Sequence, residues 1–333
     1  MSNLTIESLR GEFVESRQRV HVAVMDVDGE RVASAGDPSF PTFMRSAAKP
    51  FQAMPAILDG AVGHYHVTAE ELAVACASHN GEDRHVEIVR GLLERIGCDE
   101  SALECGPHRS LAIDLGVRVK GEKLPDDLQP QSRIASNCSG KHTLMLALAR
   151  HRKWPVARYN RPDHPVQERC REEVARWSGV PASHMREGTD GCGVVSFQLP
   201  LEGVATAFAR LGASHEAEAV MVRNAMMTHP HLVAGKQRLC TALMELYPKQ
   251  VVTKVGAGGV YGAALPTHGL GLALKVESGD NRGAMIALLW VLSELGLKPN
   301  PAKRLLRFAR LPVLDTRNRI IGRVRPRGSL TFE

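Results

Sequence analysis

VHVAVMDVDGERVASAG, residues 20–36, is the stretch on which the fold turns. Val20, Val22 and Val24 alternate with other residue types, as one face of a half-buried strand requires, and Asp28-Gly29 breaks the run with a tight-turn dipeptide. The stretch reads as a β-hairpin. Downstream, from about residue 46 to 248, the apolar spacing becomes helical. Thr68 and Glu71 form a capping box for a helix over 69–77, and further helices are expected at 84–96, 140–151, 165–177, 198–211, 215–228 and 234–247. Strands return in TKVGAGGVYGAAL (253–265) and GLGLALKVESG (269–279), separated by Pro266-Thr267-His268 as a second hairpin. A helix at 280–295 and a strand pair around 312–325 close the chain. Strands, a long helical middle and strands again predict an α+β fold. The expected architecture is one two-lobed domain over 1–333, with an antiparallel sheet from residues 10–45 and 250–333 and an inserted helical lobe over 46–249. A small-molecule site belongs in the cleft between the lobes.

Composition narrows the function classes. At 333 residues, 44% hydrophobic and 23% charged, the chain has the balance of an ordinary globular protein. Its first residues carry acids among short apolar runs rather than a basic and then apolar leader, and no stretch approaches 18 uncharged apolar residues. The seven cysteines are odd in number and dispersed, as reduced cytoplasmic thiols are, and the absence of Cys-x-x-Cys excludes a zinc ribbon or finger. Residues 303–328 carry a charge of +8, leaving −2 for the rest of the chain. That segment has a single aromatic residue, Phe308, so it reads as a cationic surface rather than a nucleic-acid site. Neither nucleic acid nor membrane is an expected partner.

Several short segments carry chemistry. Ser46-Ala47-Ala48-Lys49 is an S-x-x-K, a spacing that lets a neutral lysine take the proton of a serine hydroxyl. Pro50 is tolerated only in a helix's first turn, which sets Ser46 at a helix N-terminus. Ser78-His79-Asn80-Gly81-Glu82 follows the 69–77 helix as a polar turn, suited either to ending the helix or to forming a cleft wall. Lys254 opens a strand whose Gly256, Gly258 and Gly259 allow close backbone approach to a ligand or a bulge. Ser139-Gly140-Lys141 imitates a phosphate loop, but Ala135 and His142 occupy positions where that loop needs Gly and Ser or Thr. Cys138, at a helix N-terminus beside Lys141, has the surroundings of a reactive thiol. Thr189-Asp190-Gly191-Cys192-Gly193 is a glycine-flanked loop that presents Asp190 and Cys192.

These segments occur together and in order with Cys105-Gly106-Pro107-His108, His229-Pro230 and Val233-Ala234-Gly235. The combination resembles the bacterial asparaginase II family, the rhizobial-type or class 3 L-asparaginases, over nearly the whole chain. The resemblance implies a serine-β-lactamase-like fold and hydrolysis of L-asparagine to L-aspartate and ammonia. It implies two serine–lysine tandems, Ser46 with Lys49 and Ser78 with Lys254. It also implies a zinc ion held by Cys138, Lys141 and Cys192, with Asp190 adjoining, in a homodimer. Gly258 stands where the family more usually has an acid, and Ala47-Ala48 replaces a more polar spacer.

In the resulting scheme Ser46 attacks the side-chain amide carbon and Lys49 serves as base. Ser78 links Lys49 to Lys254 and relays a proton to departing ammonia. Arg45 and Asp190 are expected to anchor the substrate α-groups, His79 and Asn80 to line the cleft, and the strand around Gly256 to supply oxyanion donors. Three alternatives use the same residues: a penicillin-binding or esterase-like Ser-Lys acyl-transferase, an amidase with Cys138 as nucleophile, and a non-catalytic amino-acid-binding protein.

Overall fold

The 20–36 hairpin forms as the C-terminal half of a long strand, β2 (Phe13–Met25), and its partner β3 (Arg31–Ala35). The computed structural model describes residues 3–108, 111, 132–297 and 303–333. Asp26 closes the hairpin turn, its carboxylate accepting from the N–H groups of Asp28 and Glu30, with Gly29 at φ +89°. One strand precedes this pair. β1 (Leu4–Arg10) pairs with the N-terminal half of β2, so the sheet begins earlier than residue 10, with Leu4 and Ile6 as its buried alternation.

The sheet is antiparallel and draws on both chain ends. After β4 (Pro41–Phe43), β5 (Arg186–Thr189) and β6 (Val195–Pro200), which form a small sheet of their own, come β7 (Val252–Gly256), β8 (Val260–Leu265) and β9 (Leu270–Val276). β10 (Pro312–Leu314), β11 (Ile320–Gly328) and β12 (Thr331–Phe332) complete it, in the order β10-β11-β1-β2-β9-β8-β7, with β3 bridging β2 to β12. TKVGAGGVYGAAL, read as one strand, is therefore two. Gly258 and Gly259, at φ +73° and +75°, make the turn between β7 and β8 rather than a ligand cradle.

The helical middle follows the expected spacing, with two exceptions. α1 (Lys49–Leu58), α2 (Ala61–His64), α3 (Ala69–Ala75), α4 (Asp83–Arg95), α5 (Ser139–His151) and α6 (Pro165–Ser178) come first. α3 carries the complete Thr68–Glu71 capping box. The 198–211 helix begins only at α7 (Leu201–Ala213), because Val195–Pro200 pairs into the small sheet as β6. After α8 (Ala217–Thr228), the 234–247 helix is split into α9 (Pro230–Ala234) and α10 (Leu239–Leu246), since Gly235 adopts φ +115° and Gln237 +59°. α11 (Asn281–Glu294) and α12 (Lys303–Ala309) follow.

α7 lies across β9, β8 and β2, and α11 also packs on β9 and β8. Gly262 and Gly271 let α7 pack directly on the sheet: a Cβ at the first would overlap the Phe208 ring, and at the second the backbone of Ala205 and Ala209. The basic C-terminal segment is partly neutralised within the sheet. Glu7, itself 1% exposed, is gripped by Arg17 and Arg325 across three strands. Among the described residues no helix is long and apolar enough to cross a membrane.

Candidate active site

The chain leaves β4 and enters α1 through a 3-10 turn, Arg45–Ala48. Pro50 falls in the first turn of α1, as its missing N–H demands. Arg45 is held at φ +50°, left-handed for a residue with a Cβ, a conformation that costs about 1–3 kcal/mol and persists where the surroundings impose it. Its Nε donates to Asp190 Oδ1 at 2.6 Å. The turn sets Ser46, partly exposed, on the wall of a cavity of about 250 Å³. Ser78, Cys138, Asp190 and Cys192 line the same cavity.

Lys49 does not meet Ser46. Its fully buried amine donates to Ala77 O at 2.5 Å, Ser78 Oγ at 3.1 Å and Asn137 O at 3.2 Å. An amine removed from water goes where acceptors satisfy it, and here three oxygens do so. The Ser46 hydroxyl makes no hydrogen bond among the described residues. Ser78 is instead the serine shared by both lysines: Lys254 Nζ lies 2.7 Å from its Oγ and 3.0 Å from Val255 O. Burial, reinforced by the Lys49 charge, drives Lys254 well below the usual lysine range.

On the other side of the cavity, Cys138 caps α5 and Lys141 lies one turn inside it. Lys141 Nζ donates to Cys192 Sγ at 3.1 Å, and Asp190 Oδ2 is 3.8 Å from the same sulfur. A hydrogen bond from Cys138 pulls the Cys192 thiol down to about 5, whereas that bond and burial push Cys138 up to about 12. Of the two, Cys192 is the more acidic thiol, so the expectation of an activated Cys138 is corrected. Burial acts to lower Lys141, but Cys192 and Cys138 outweigh it and raise the amine above its usual range. Burial likewise acts to raise Asp190, and Lys141 and Arg45 overcome it to hold the carboxyl low.

Three expected substrate contacts are turned away from the cavity. His79, 1% exposed, lies with its Nε2 3.0 Å from Ser139 Oγ, and its Nδ1 accepts from Gly81 N. Asn80, 2% exposed, is used up by Arg238, Glu82 and Lys236 O. Both are committed to protein partners, so they shape the Ser78 turn. Gly256 permits close approach to protein rather than ligand: a Cβ there would lie 2.7 Å from Met44 O, while its neighbours Val255 and Ala257 line the cavity. Among the lining residues, His108, Ser136 and Asn281 were given no role from the sequence. The Cys105–His108 run had marked the first, but Asn281, at the start of an apolar helix, carries no local signal.

Among the described residues, no three His, Cys, Asp or Glu side chains converge as a metal-holding group. The donor cluster is mixed: the sulfurs of Cys138 and Cys192, one amine and a nearby carboxylate, with Cys138 Sγ donating to Asn137 Oδ1 at 3.1 Å. Sulfur and nitrogen donors suit zinc, so the residues fit that ion provided Lys141 and Cys138 give up their protons.

A cavity that joins a serine between two lysine amines to a thiolate, an ammonium and a carboxylate has the makeup of a polar small-molecule site. The chain belongs to the L-asparaginase II family, whose family model matches residues 6–326. Among solved structures, that of Mglu in its native form aligns with a TM-score of 0.48 at 14% identity, over 86% of this chain. The chain spans 66% of the length of that Mglu structure. A search of curated proteins finds no match.

Proposed function

We propose that the protein is an L-asparaginase that hydrolyses the side-chain amide of L-asparagine through a serine ester. The observation that carries this reading is Ser78 Oγ held between the Lys49 and Lys254 amines in the wall of a cavity that also presents Ser46 and the Arg45–Asp190 pair. Family membership supplies the substrate class.

Ser46 attacks the amide carbon. Its hydroxyl is in the cavity wall and has no bond among the described residues to surrender. Its proton is passed by water to Ser78, whose Oγ lies 2.7 Å from the Lys254 amine that takes it up. The base is then Lys254, where Lys49 was expected. The same route returns a proton to departing ammonia, and water then hydrolyses the β-aspartyl ester. Arg45 and Asp190 offer opposite charges to the α-carboxylate and α-amino groups. Zinc, held by Cys138, Lys141 and Cys192, would supply Lewis-acid attraction to a substrate polar group. A second reading makes Ser78 the nucleophile, favoured by its direct 2.7 Å contact with Lys254.

Ammonia release from L-asparagine, L-glutamine and a β-lactam panel tests the proposal. Asparagine is the expected substrate. The extra methylene of glutamine carries its amide carbon past the attack position, and a displacement of that size costs about 100-fold. β-Lactam turnover without ammonia release from asparagine would replace this reading with that of a Ser-Lys acyl-transferase.

A further inference from the structure

We propose that Arg238 is a positioning residue for the Ser78 centre: from outside the cavity lining it holds the Ser78 main chain and fixes the charge that the Lys254 amine faces. The inference deepens the Ser78–Lys254 reading above and rests on it.

Arg238 is 3% exposed. Its Nη1 donates to Ser78 O at 3.2 Å and to Asn80 Oδ1 at 2.8 Å. The segment that delivers it, from Val233 at the end of α9 to Arg238, is tied to the Ser78 turn at several points. Ser78 N donates to Val233 O at 3.0 Å, Asn80 Nδ2 to Lys236 O at 3.0 Å, and Lys236 N to Glu82 Oε1 at 2.8 Å. A side chain at Gly235 would strike Asn80 Cγ and Glu82 Oε1, each at 2.7 Å, so the Gly235 backbone packs directly on those two side chains. The split between α9 and α10 is thus what carries the guanidinium inward.

Position and charge act together here. A guanidinium stays protonated at any ordinary pH, so Arg238 places a permanent cation behind an amine that must be a free base to accept a proton. Lys254 faces Lys49 on α1, Cys240 on α10, Cys138 ahead of α5, Cys76 and His79 flanking Ser78, and Arg238. Burial and Lys49 weigh most on Lys254, Arg238 adds to them, and Cys240 opposes.

The test compares Arg238→Gln with Arg238→Lys. Lys254 is titrated by NMR in protein labelled at the lysine side chains, its resonance assigned by loss in Lys254→Arg. In Arg238→Gln the Lys254 midpoint is expected to move to higher pH by on the order of one unit. The acid limb of the pH–rate profile for L-asparagine should move with it, and kcat should fall about tenfold or more. Arg238→Lys keeps the charge but not the paired geometry, so its midpoint stays while kcat falls. An unmoved midpoint in folded Arg238→Gln overturns the proposal, whether or not asparagine is turned over. If that variant does not fold, Arg238→Lys decides alone, and full kcat there overturns the proposal. Ser78→Ala separates the two levels. If it retains full activity, the Ser78 reading fails and takes Arg238 with it; if it is inactive while Arg238→Gln is normal, only the Arg238 role falls.

Discussion

Lys254 and Lys141 are both buried beside one cavity, yet their basicities are moved in opposite directions. Lys254 is driven well below the usual lysine range by burial and by the cation of Lys49. Lys141 is raised despite the same burial, because Cys192 and Cys138 face it. Burial alone would lower both amines; the sign of the neighbours decides. The Lys254 side is built to accept a proton, and the Lys141 side to hold charge in place.

Replacing each lysine in turn breaks this comparison most sharply. Lys254→Met should lower kcat for L-asparagine by about 10²–10⁴-fold, the usual worth of a positioned base, with KM nearly unchanged. Lys141→Met should act mainly on KM. Steady-state kinetics separate the two, and a collapse of kcat in both would erase the distinction.

Behind the two sides, the helices approach closely at Gly140. A Cβ at Gly140 on α5 would overlap the carbonyl of Val74 on α3, so Gly140→Ala must part the helix that leads to Ser78 from the one that follows Cys138. A loss of about 1–3 kcal/mol in urea unfolding is expected from such overpacking. An unchanged midpoint would show that the helices give way freely.

Sharpening the thiolate side is a smaller test. Cys192→Ser should reduce bound zinc, read by elemental analysis, and raise KM about tenfold while lowering kcat less. A kcat lost on chelation and restored by zinc at saturating asparagine would move the metal into the bond-breaking step.

The smallest effect lies at the rim of the Ser78 turn, where His231 Nε2 and Glu82 Oε2 pair at 2.7 Å. Glu82 is lowered to about 2: burial opposes, and the His231 bond dominates among the favourable influences. Its contribution is complete above 4.5 and lost as pH falls toward 2. His231 is raised by the same pair, so its contribution is complete below 6.5 and lost as pH climbs through the folded value. The pair thus stabilises most between pH 4.5 and 6.5. His231→Gln should lower the unfolding free energy at pH 5.5 and hardly at pH 8.5, by less than about 1 kcal/mol because the histidine is partly solvated. Equal losses at both pH values would assign the effect to packing.

Much of this was legible in the sequence wherever the signal was local. Alternating valines and Asp28-Gly29 announced the hairpin, and Thr68 with Glu71 announced α3. β1 was missed because its seven residues mix acids with leucines and gain an apolar face only against β2 and β11. β6 was missed because Val195–Pro200 runs directly into α7 and its pairing partners lie far away in sequence. At the site, the motifs named the right segments but not the contacts. Spacing put Lys49 near Ser46, whereas the amine follows carbonyls at Ala77 and Asn137, 28 and 88 residues away. Which thiol is the more acidic depended on the meeting of Cys138 and Cys192 across the fold, which no window of sequence contains.

The central claim, serine attack on asparagine served by the lysine pair, is tested most directly by ammonia release at saturating L-asparagine from Ser46→Ala beside Cys138→Ala. Ser46→Ala is expected to fold normally and to lose turnover by about 10³-fold or more, while Cys138→Ala keeps a kcat near that of the unaltered protein once zinc is supplied. A folded Ser46→Ala that releases ammonia at the full rate, beside an inactive Cys138→Ala, would contradict the account and make the cysteine the nucleophile.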